Sequence, residues 1–276
     1  FGQYSADYNV LINQKNDRVM ITQKESSAIN EMNRKRWLVR YLILFTIGMI
    51  LVIKTYFMLF IIDFTIGFYS FLTTVVLFNI FLFSYLKFKD PILKIKEKST
   101  DDPLISIIIP VKNEEENIEN CVQSVINSSY KNKEIIVVND GSTDKTPNIL
   151  EQLKKEYPDL LSVLHLPNNL GKKHAIEKAI EIANGEFYVF MDSDCNMAND
   201  AVENISKIFL SDKEIGAITG HGKVRNADNG NLLEKIQDVW FDGQYRIIKG
   251  MESSFSSLTC CSGSLSAFRR EAIQGH

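Results

Sequence analysis

Asp192 and Asp194 stand two residues apart where the apolar run 186–191 ends. Carboxylates at that spacing on a strand-end loop share one divalent cation, or hold the cation and a sugar hydroxyl separately. Hard oxygen ligands select Mg2+ or Mn2+, which keep part of their shell for water and phosphate oxygens. Acidic turns are common, so the pair gains its weight from where it lies. Asp140 closes another apolar run before Gly141-Ser142. There its carboxylate either accepts an N–H from a nucleobase or caps the next helix, although Thr143 and Asp144 are adequate caps already. Gly171-Lys172-Lys173-His174 opens a helical segment. A helix N-terminus carrying lysines is a natural phosphate contact; a solvated charged face is the alternative. Two familiar nucleotide sites are excluded. The residues after the first strand, Pro110-Val111-Lys112-Asn113-Glu114, contain no G-x-G-x-x-G, and Gly171-Lys172 lacks the earlier glycine and the Ser or Thr of a P-loop.

The elements that position these residues follow from periodicity. Residues 104–111 are a continuous apolar, β-branched run, as in a strand covered on both faces. In residues 117–128, Ile118, Val122, Val125 and Ile126 share one helical face. Strands are predicted at 134–138, 161–166, 186–191 and 215–219, and helices at 145–157, 172–183 and 200–210. Strands alternating with helices of this length predict an α/β fold with a mostly parallel sheet. Ligands of such sheets bind at the carboxyl ends of the strands. Asn113-Glu114, Asp140, and Asp192 with Asp194 all fall there. That shared location says more than any one motif.

Upstream lies a block of different character. Of 31 basic and 34 acidic residues in 276, only Arg40, Lys54 and Asp63 fall within 37–86. Residues 64–86 carry no formal charge, and 23 residues of helix reach about 34 Å, enough for a hydrocarbon core of about 30 Å. Two transmembrane helices are predicted, 37–56 and 64–86, with Arg40 and Lys54 snorkelling to opposite interfaces. Arg34, Lys35 and Arg36 precede them; Lys87, Lys89, Lys94, Lys96 and Lys98 follow. The positive-inside rule puts both ends, hence 1–33 and 103–276, in the cytoplasm of an integral plasma-membrane protein with the lipid bilayer as a partner. Residues 10–12 and 19–21 read as two short strands. The net charge of −3 leaves no basic footprint for nucleic acid. Four cysteines without CxxC spacing fit a reducing compartment. A chain opening on Phe1 reads as part of a longer protein.

The order of the pieces resembles family 2 glycosyltransferases of the GT-A fold. The matching stretches are Ile109-Pro110-Val111-Lys112-Asn113-Glu114, Val138 to Asp144, Gly171-Lys172-Lys173 and Asp192-Ser193-Asp194. Cys260 to Glu271, with two preceding membrane helices, is similar to the membrane-integrated branch that makes hyaluronan, chitin and poly-N-acetylglucosamine. The resemblance covers 103–273. It implies that Asp140 binds uracil, Glu114 lines the nucleotide pocket and Lys172 approaches the diphosphate. Asp192 and Asp194 would hold Mg2+ or Mn2+ with the UDP-sugar, Asp194 as the direct ligand, while Cys261, Ser262 and Gly263 line the acceptor side. The implied activity is a processive, inverting, metal-dependent transfer of sugar units from a UDP-sugar donor to a polysaccharide acceptor. The sugar would be N-acetylglucosamine, alone or with a second sugar as in hyaluronan. The alternatives are transfer of one sugar to a lipid phosphate, and an inactive membrane-tethered nucleotide-sugar binder. The general base is expected beyond His276.

Overall fold

The computed structural model describes residues 45, 48–57, 59, 64–87, 101–225, 230–256 and 258–274. They fall into two compact units, Phe1–Asn79 and Ile80–His276. The two short strands expected in 1–33 and half of the first expected span lie outside the described residues. Residues 48–57 are helical, and helix α1 runs Phe64–Lys87. Lys54 lies in the first of these helices, within the range expected for the first span, and its ammonium donates to Ser70 O (3.4 Å), Ser70 Oγ (3.0 Å) and Thr74 Oγ1 (2.7 Å). Among the described residues no helix is long and apolar enough to cross a membrane. The side chains at 81 and 83–87 are outside the description, so the charge-free run of 64–86 stands as a property of the sequence.

The second unit holds the sheet. Its elements in chain order are β1 (Ile105–Val111), α2 (Ile118–Ile126), β2 (Lys133–Asp140), α3 (Thr146–Glu156), β3 (Leu161–Leu166), α4 (Lys172–Ile182), β4 (Phe187–Met191), α5 (Ala201–Ser211) and β5 (Ala217–Thr219). Then come α6 (Leu232–Gly243), a π-helical stretch Gln244–Lys249, α7 (Gly250–Ser254), β6 (Leu265–Arg269) and α8 (Arg270–Gln274). The expected alternation is present, each boundary within a few residues. The sheet order is β3-β2-β1-β4-β6-β5. β1 to β4 are mutually parallel, whereas β6 runs antiparallel to both β4 and β5.

All seven residues of β1 are buried, as expected of a central strand covered on both faces. Its side chains alternate between two cores. Ile105, Ile107, Ile109 and Val111 pack with Cys121, Val122 and Val125 of α2, Leu150 and Leu153 of α3, and Val202, Ile205 and Phe209 of α5. Ile108, with Ile136, Val138 and Tyr188, meets Ala175 and Ala179 of α4 on the opposite face. The side change has a topological cause. α2 and α3 connect strands laid out in one direction from β1, whereas α4 carries the chain back across to β4, and the right-handed crossover rule then puts it on the other face. Strand order therefore reverses at β1, and the crevice outside the carboxyl ends of β1 and β4 is where such a sheet receives ligands.

The last third was not foreseen element by element. α6 begins with a capping box readable in sequence: the Asn231 side chain accepts from Leu233 N and Glu234 N, and Glu234 returns a bond to Asn231 N. β6, inserted between β4 and β5, coincides with the stretch read only as a motif.

Candidate active site

The polar residues after β1 and β2 are fixed by hydrogen bonds between their two loops. Asn113, at φ 53°, leaves β1 in a left-handed turn, a conformation Asn tolerates better than most residues. Its N–H donates to Ser142 Oγ (2.9 Å), and its Oδ1 accepts from Thr143 N (2.8 Å). Glu114 N donates to Thr146 Oγ1 at 2.9 Å, and Glu114 Oε2 accepts from Asn117 Nδ2 at 2.9 Å. Asp144 accepts from Thr146 N and Glu115 N. Burial pushes the Asp144 carboxyl up, but hydrogen bonds from Thr146 and the Glu115 backbone outweigh it and hold the group below the usual range. The loops after β1 and β2 are thus one stitched unit.

Asp140, 4% exposed, ends β2. Its Oδ1 accepts from Leu170 N (2.7 Å) and its Oδ2 from Gly171 N (2.8 Å). The carboxylate therefore holds the loop that opens α4, a role neither sequence alternative included, and each oxygen keeps lone-pair capacity for a ligand. Gly141 adopts φ +66°, and a Cβ there would come within 2.8 Å of the Asn168 and Asn169 backbone, so glycine is required where the two loops touch.

Of the basic residues opening α4, only Lys172 turns to the site, where its ammonium pairs with Asp192 Oδ1. Lys173 is 84% exposed and pairs with Glu177 along its own helix; His174 is exposed. The charged-face alternative holds for those two. The resulting cleft has a volume of about 330 Å3. Pro110, Val111, Lys112 and Glu114 line one side, Asp140, Asn169, Gly171 and Lys172 another, and Asp192, Ser193 and Asp194 the third.

Asp194 is exposed. Its backbone carbonyl accepts from Arg225 Nη2 at 2.8 Å, and its Oδ1 accepts weakly from Cys195 Sγ at 3.4 Å. Burial, and next the hydrogen bond to Asp194, pushes the Cys195 thiol up to about 12. Burial does the same to Cys121, also to about 12. Both thiols stay protonated near neutral pH. Among the described residues no three His, Cys, Asp or Glu side chains converge as a metal cage. Two carboxylates beside a cleft nevertheless fit Mg2+ or Mn2+, which commonly take one or two protein carboxylates and complete their shell with phosphate oxygens and water.

The Cys261–Gly263 segment approaches from the other side. A Cβ on Gly263 would lie 3.4 Å from Asp192 Oδ2 and 3.9 Å from Lys172 Nζ, so Gly263 adjoins the ion pair. Ser262 is one step removed: its N–H donates to Thr219 Oγ1 (2.9 Å) and its hydroxyl meets Tyr245 OH (2.6 Å). Burial raises the half-buried Cys261 thiol, an unreactive setting. None of Cys261, Ser262 and Gly263 lines the cleft itself, and Tyr245 and Arg225 are neighbours that sequence reasoning missed. Glu271 follows β6, whose Arg269 end pairs with Phe187 at the start of β4. It therefore lies at the opposite end of the sheet from Asp192, about 16 Å of strand away.

The cleft lies at the reversal point of a parallel sheet, with buried and exposed carboxylates on its strand ends and a lysine at a helix N-terminus, where sheets of this kind receive ligands. Residues 106–276 match the family described as Glycosyl transferase family 2, and the chain belongs to that family of enzymes. A poly-beta-1,6-N-acetyl-D-glucosamine synthase of Staphylococcus epidermidis is 29% identical over 183 residues, covering 66% of this chain and 43% of the relative. The synthase of the same description from Staphylococcus aureus (strain N315) is 30% identical over 169 residues, 61% of this chain and 40% of the relative. The chain thus spans less than half the length of these relatives. Among solved structures, a mannosyltransferase from Pyrobaculum calidifontis in complex with GDP-Man and Mn2+ is 26% identical, with a TM-score of 0.55 over 73% of this chain and 55% of that one. The expected α/β, GT-A-like sheet is borne out.

Proposed function

We propose that this chain carries the donor-binding part of a membrane-anchored synthase that transfers N-acetylglucosamine from UDP to a growing polysaccharide with inversion. The observation that carries the reading is the meeting of Glu114, Asp140, Lys172, Asp192 and Asp194 around one cleft, with Gly263 against its ion pair. Asp140 takes the uracil N–H through its remaining acceptor capacity, and Glu114 borders the nucleoside. Lys172 and the N-terminus of α4 face the diphosphate and neutralise charge that grows as the sugar–phosphate bond breaks. Mg2+ or Mn2+ held by Asp194 and Asp192 supplies further stabilisation of that leaving group. The acceptor enters from the Cys261–Gly263 side, which holds its hydroxyl in line with the sugar carbon. No carboxylate described here is assigned as general base, and Glu271 is too far from Asp192 to serve. Support for the polysaccharide product comes from the synthases to which the chain is similar.

The membrane assignment rests on the sequence. The uncharged run 64–86 and its basic flanks favour two spans with 1–33 and 103–276 on the cytoplasmic face of the plasma membrane, where UDP-sugars are found. Cysteine labelling that puts positions 25 and 150 on opposite faces would refute it. The activity is tested with the full-length enzyme and radiolabelled UDP-N-acetylglucosamine. A ladder or a long polymer supports the reading. A single-sugar lipid product, or binding without turnover, replaces it with one of the two alternatives.

A further inference from the structure

Three hydroxyls meet beside the cleft without belonging to any motif of the donor site. Tyr245 OH lies 2.6 Å from Ser262 Oγ and 3.4 Å from Ser264 Oγ, and the two serine hydroxyls are 2.7 Å apart. The serines bracket Gly263, the residue that adjoins Asp192 and Lys172. Ser262 N is also tied to Thr219, the last residue of β5. The segment nearest the ion pair is therefore held at two places, the end of β5 and the Tyr245 hydroxyl.

Tyr245 is itself unusually constrained. It belongs to the π-helical stretch Gln244–Lys249 that continues α6, and such widened turns concentrate at functional sites. Its ring stacks on His221 (centroids 5.2 Å apart, 27° between planes) and on Phe241 (6.4 Å, 24°). Gly222 closes on it as well: a Cβ there would lie 3.4 Å from both the ring edge and the hydroxyl. A ring boxed in this way delivers its hydroxyl to one point.

We infer that Tyr245 is a positioning residue for sugar transfer, fixing the Ser262–Ser264 segment at a set distance from Asp192 and Lys172 so that an acceptor hydroxyl meets the donor sugar in line. The inference rests on the functional reading above. In the transfer, the sugar C1–O bond to the diphosphate breaks and its electron pair leaves with UDP. The acceptor oxygen forms the new bond to C1 and releases its proton. Water performs the same displacement, giving free sugar and UDP, but needs no wall to orient it. Loosening the segment therefore lowers transfer to the acceptor more than transfer to water. Donor binding, built on Asp140, Lys172, Asp192 and Asp194, is left in place.

The test is Tyr245→Phe in the full-length enzyme. Ser264→Ala serves as a second variant, removing a smaller group from the same cluster. Each is assayed for UDP affinity with Mn2+ by calorimetry, and for polymer and free N-acetylglucosamine from one radiolabelled donor. Loss of one neutral hydrogen bond predicts polymer synthesis lowered about fivefold, with UDP affinity within about twofold of wild type. The free-sugar share of the product rises in both variants. An unchanged partition, or polymer, free sugar and UDP affinity all falling together, overturns the proposal. A wild-type enzyme that neither binds UDP nor transfers sugar removes the functional reading instead, an outcome the same assays separate from the first.

Discussion

Replacing Asp140 by asparagine removes one charge and substitutes an N–H2 for one oxygen. In the native arrangement both oxygens accept backbone N–H groups, from Leu170 at 2.7 Å and Gly171 at 2.8 Å, in a site 4% exposed. The asparagine oxygen still accepts one of them. The amide nitrogen then faces the other N–H, donor against donor, and a part-buried donor loses its acceptor. A charge-assisted bond weakened and a part-buried N–H left unpaired together come to about 2 kcal/mol, or roughly 30-fold in the opening of loop 168–171, to which the lost contact with the base adds in UDP binding. That loop leads into α4 and Lys172, so the cost spreads to the phosphate side of the cleft. The expected outcome for Asp140→Asn is a lower urea midpoint with an unchanged slope, measured without ligand, together with UDP affinity reduced about 100-fold or more. Full stability with lost UDP binding would show that Asp140 contacts the base and does not organise the loop. Unchanged stability and unchanged binding would refute both roles.

Asp194→Asn is expected to leave the fold intact and lower metal-dependent turnover by about 10²-fold or more, as when a major electrostatic contributor is lost; near-normal turnover at low Mn2+ contradicts its place as a ligand. Asp144 makes a pH prediction. Its folded value lies below its unfolded one, so its stabilising contribution is present above the ordinary carboxylate value of about 4 and is lost as pH falls through the folded value. Asp144→Asn should flatten the acid limb of a stability–pH curve, and an unaltered limb would count against the Thr146 and Glu115 bonds. Gly141→Ala should destabilise the protein, because its Cβ would collide with the Asn168 and Asn169 backbone at positive φ; a melting temperature equal to wild type would contradict that packing.

The first two-thirds of the sheet was legible because its signal is local. Ile105 to Val111 and Ile135 to Val138 are buried almost without interruption, and a run of β-branched residues between turns has few other readings. β3 was foreseen to the residue. β6 was not, because Leu265–Arg269 is short and becomes a strand by antiparallel pairing with Met191–Phe187, far away in the chain. The same distance hid the second half of the site. Asp140 stands out in sequence as a carboxylate at a strand end, yet the N–H groups it holds, of Leu170 and Gly171, lie about thirty residues on. Tyr245 gave no signal at all, since nothing in its neighbourhood announces a bond to Ser262. The partners of Lys54 were hidden for a related reason: hydropathy registers a charge but not the Ser70 and Thr74 hydroxyls on the adjoining helix that accept its hydrogen bonds.

The most direct test of the central claim is calorimetric titration of UDP into this chain with and without Mn2+, beside Mn2+ alone. Two carboxylates fill about a third of an octahedral shell, so Mn2+ alone should bind weakly, UDP alone weakly, and the two together in a saturable one-to-one complex. That complex should disappear in both Asp140→Asn and Asp194→Asn. Failure of UDP to bind with Mn2+ present, or binding indifferent to both substitutions, would contradict a donor site built from Asp140, Lys172, Asp192 and Asp194.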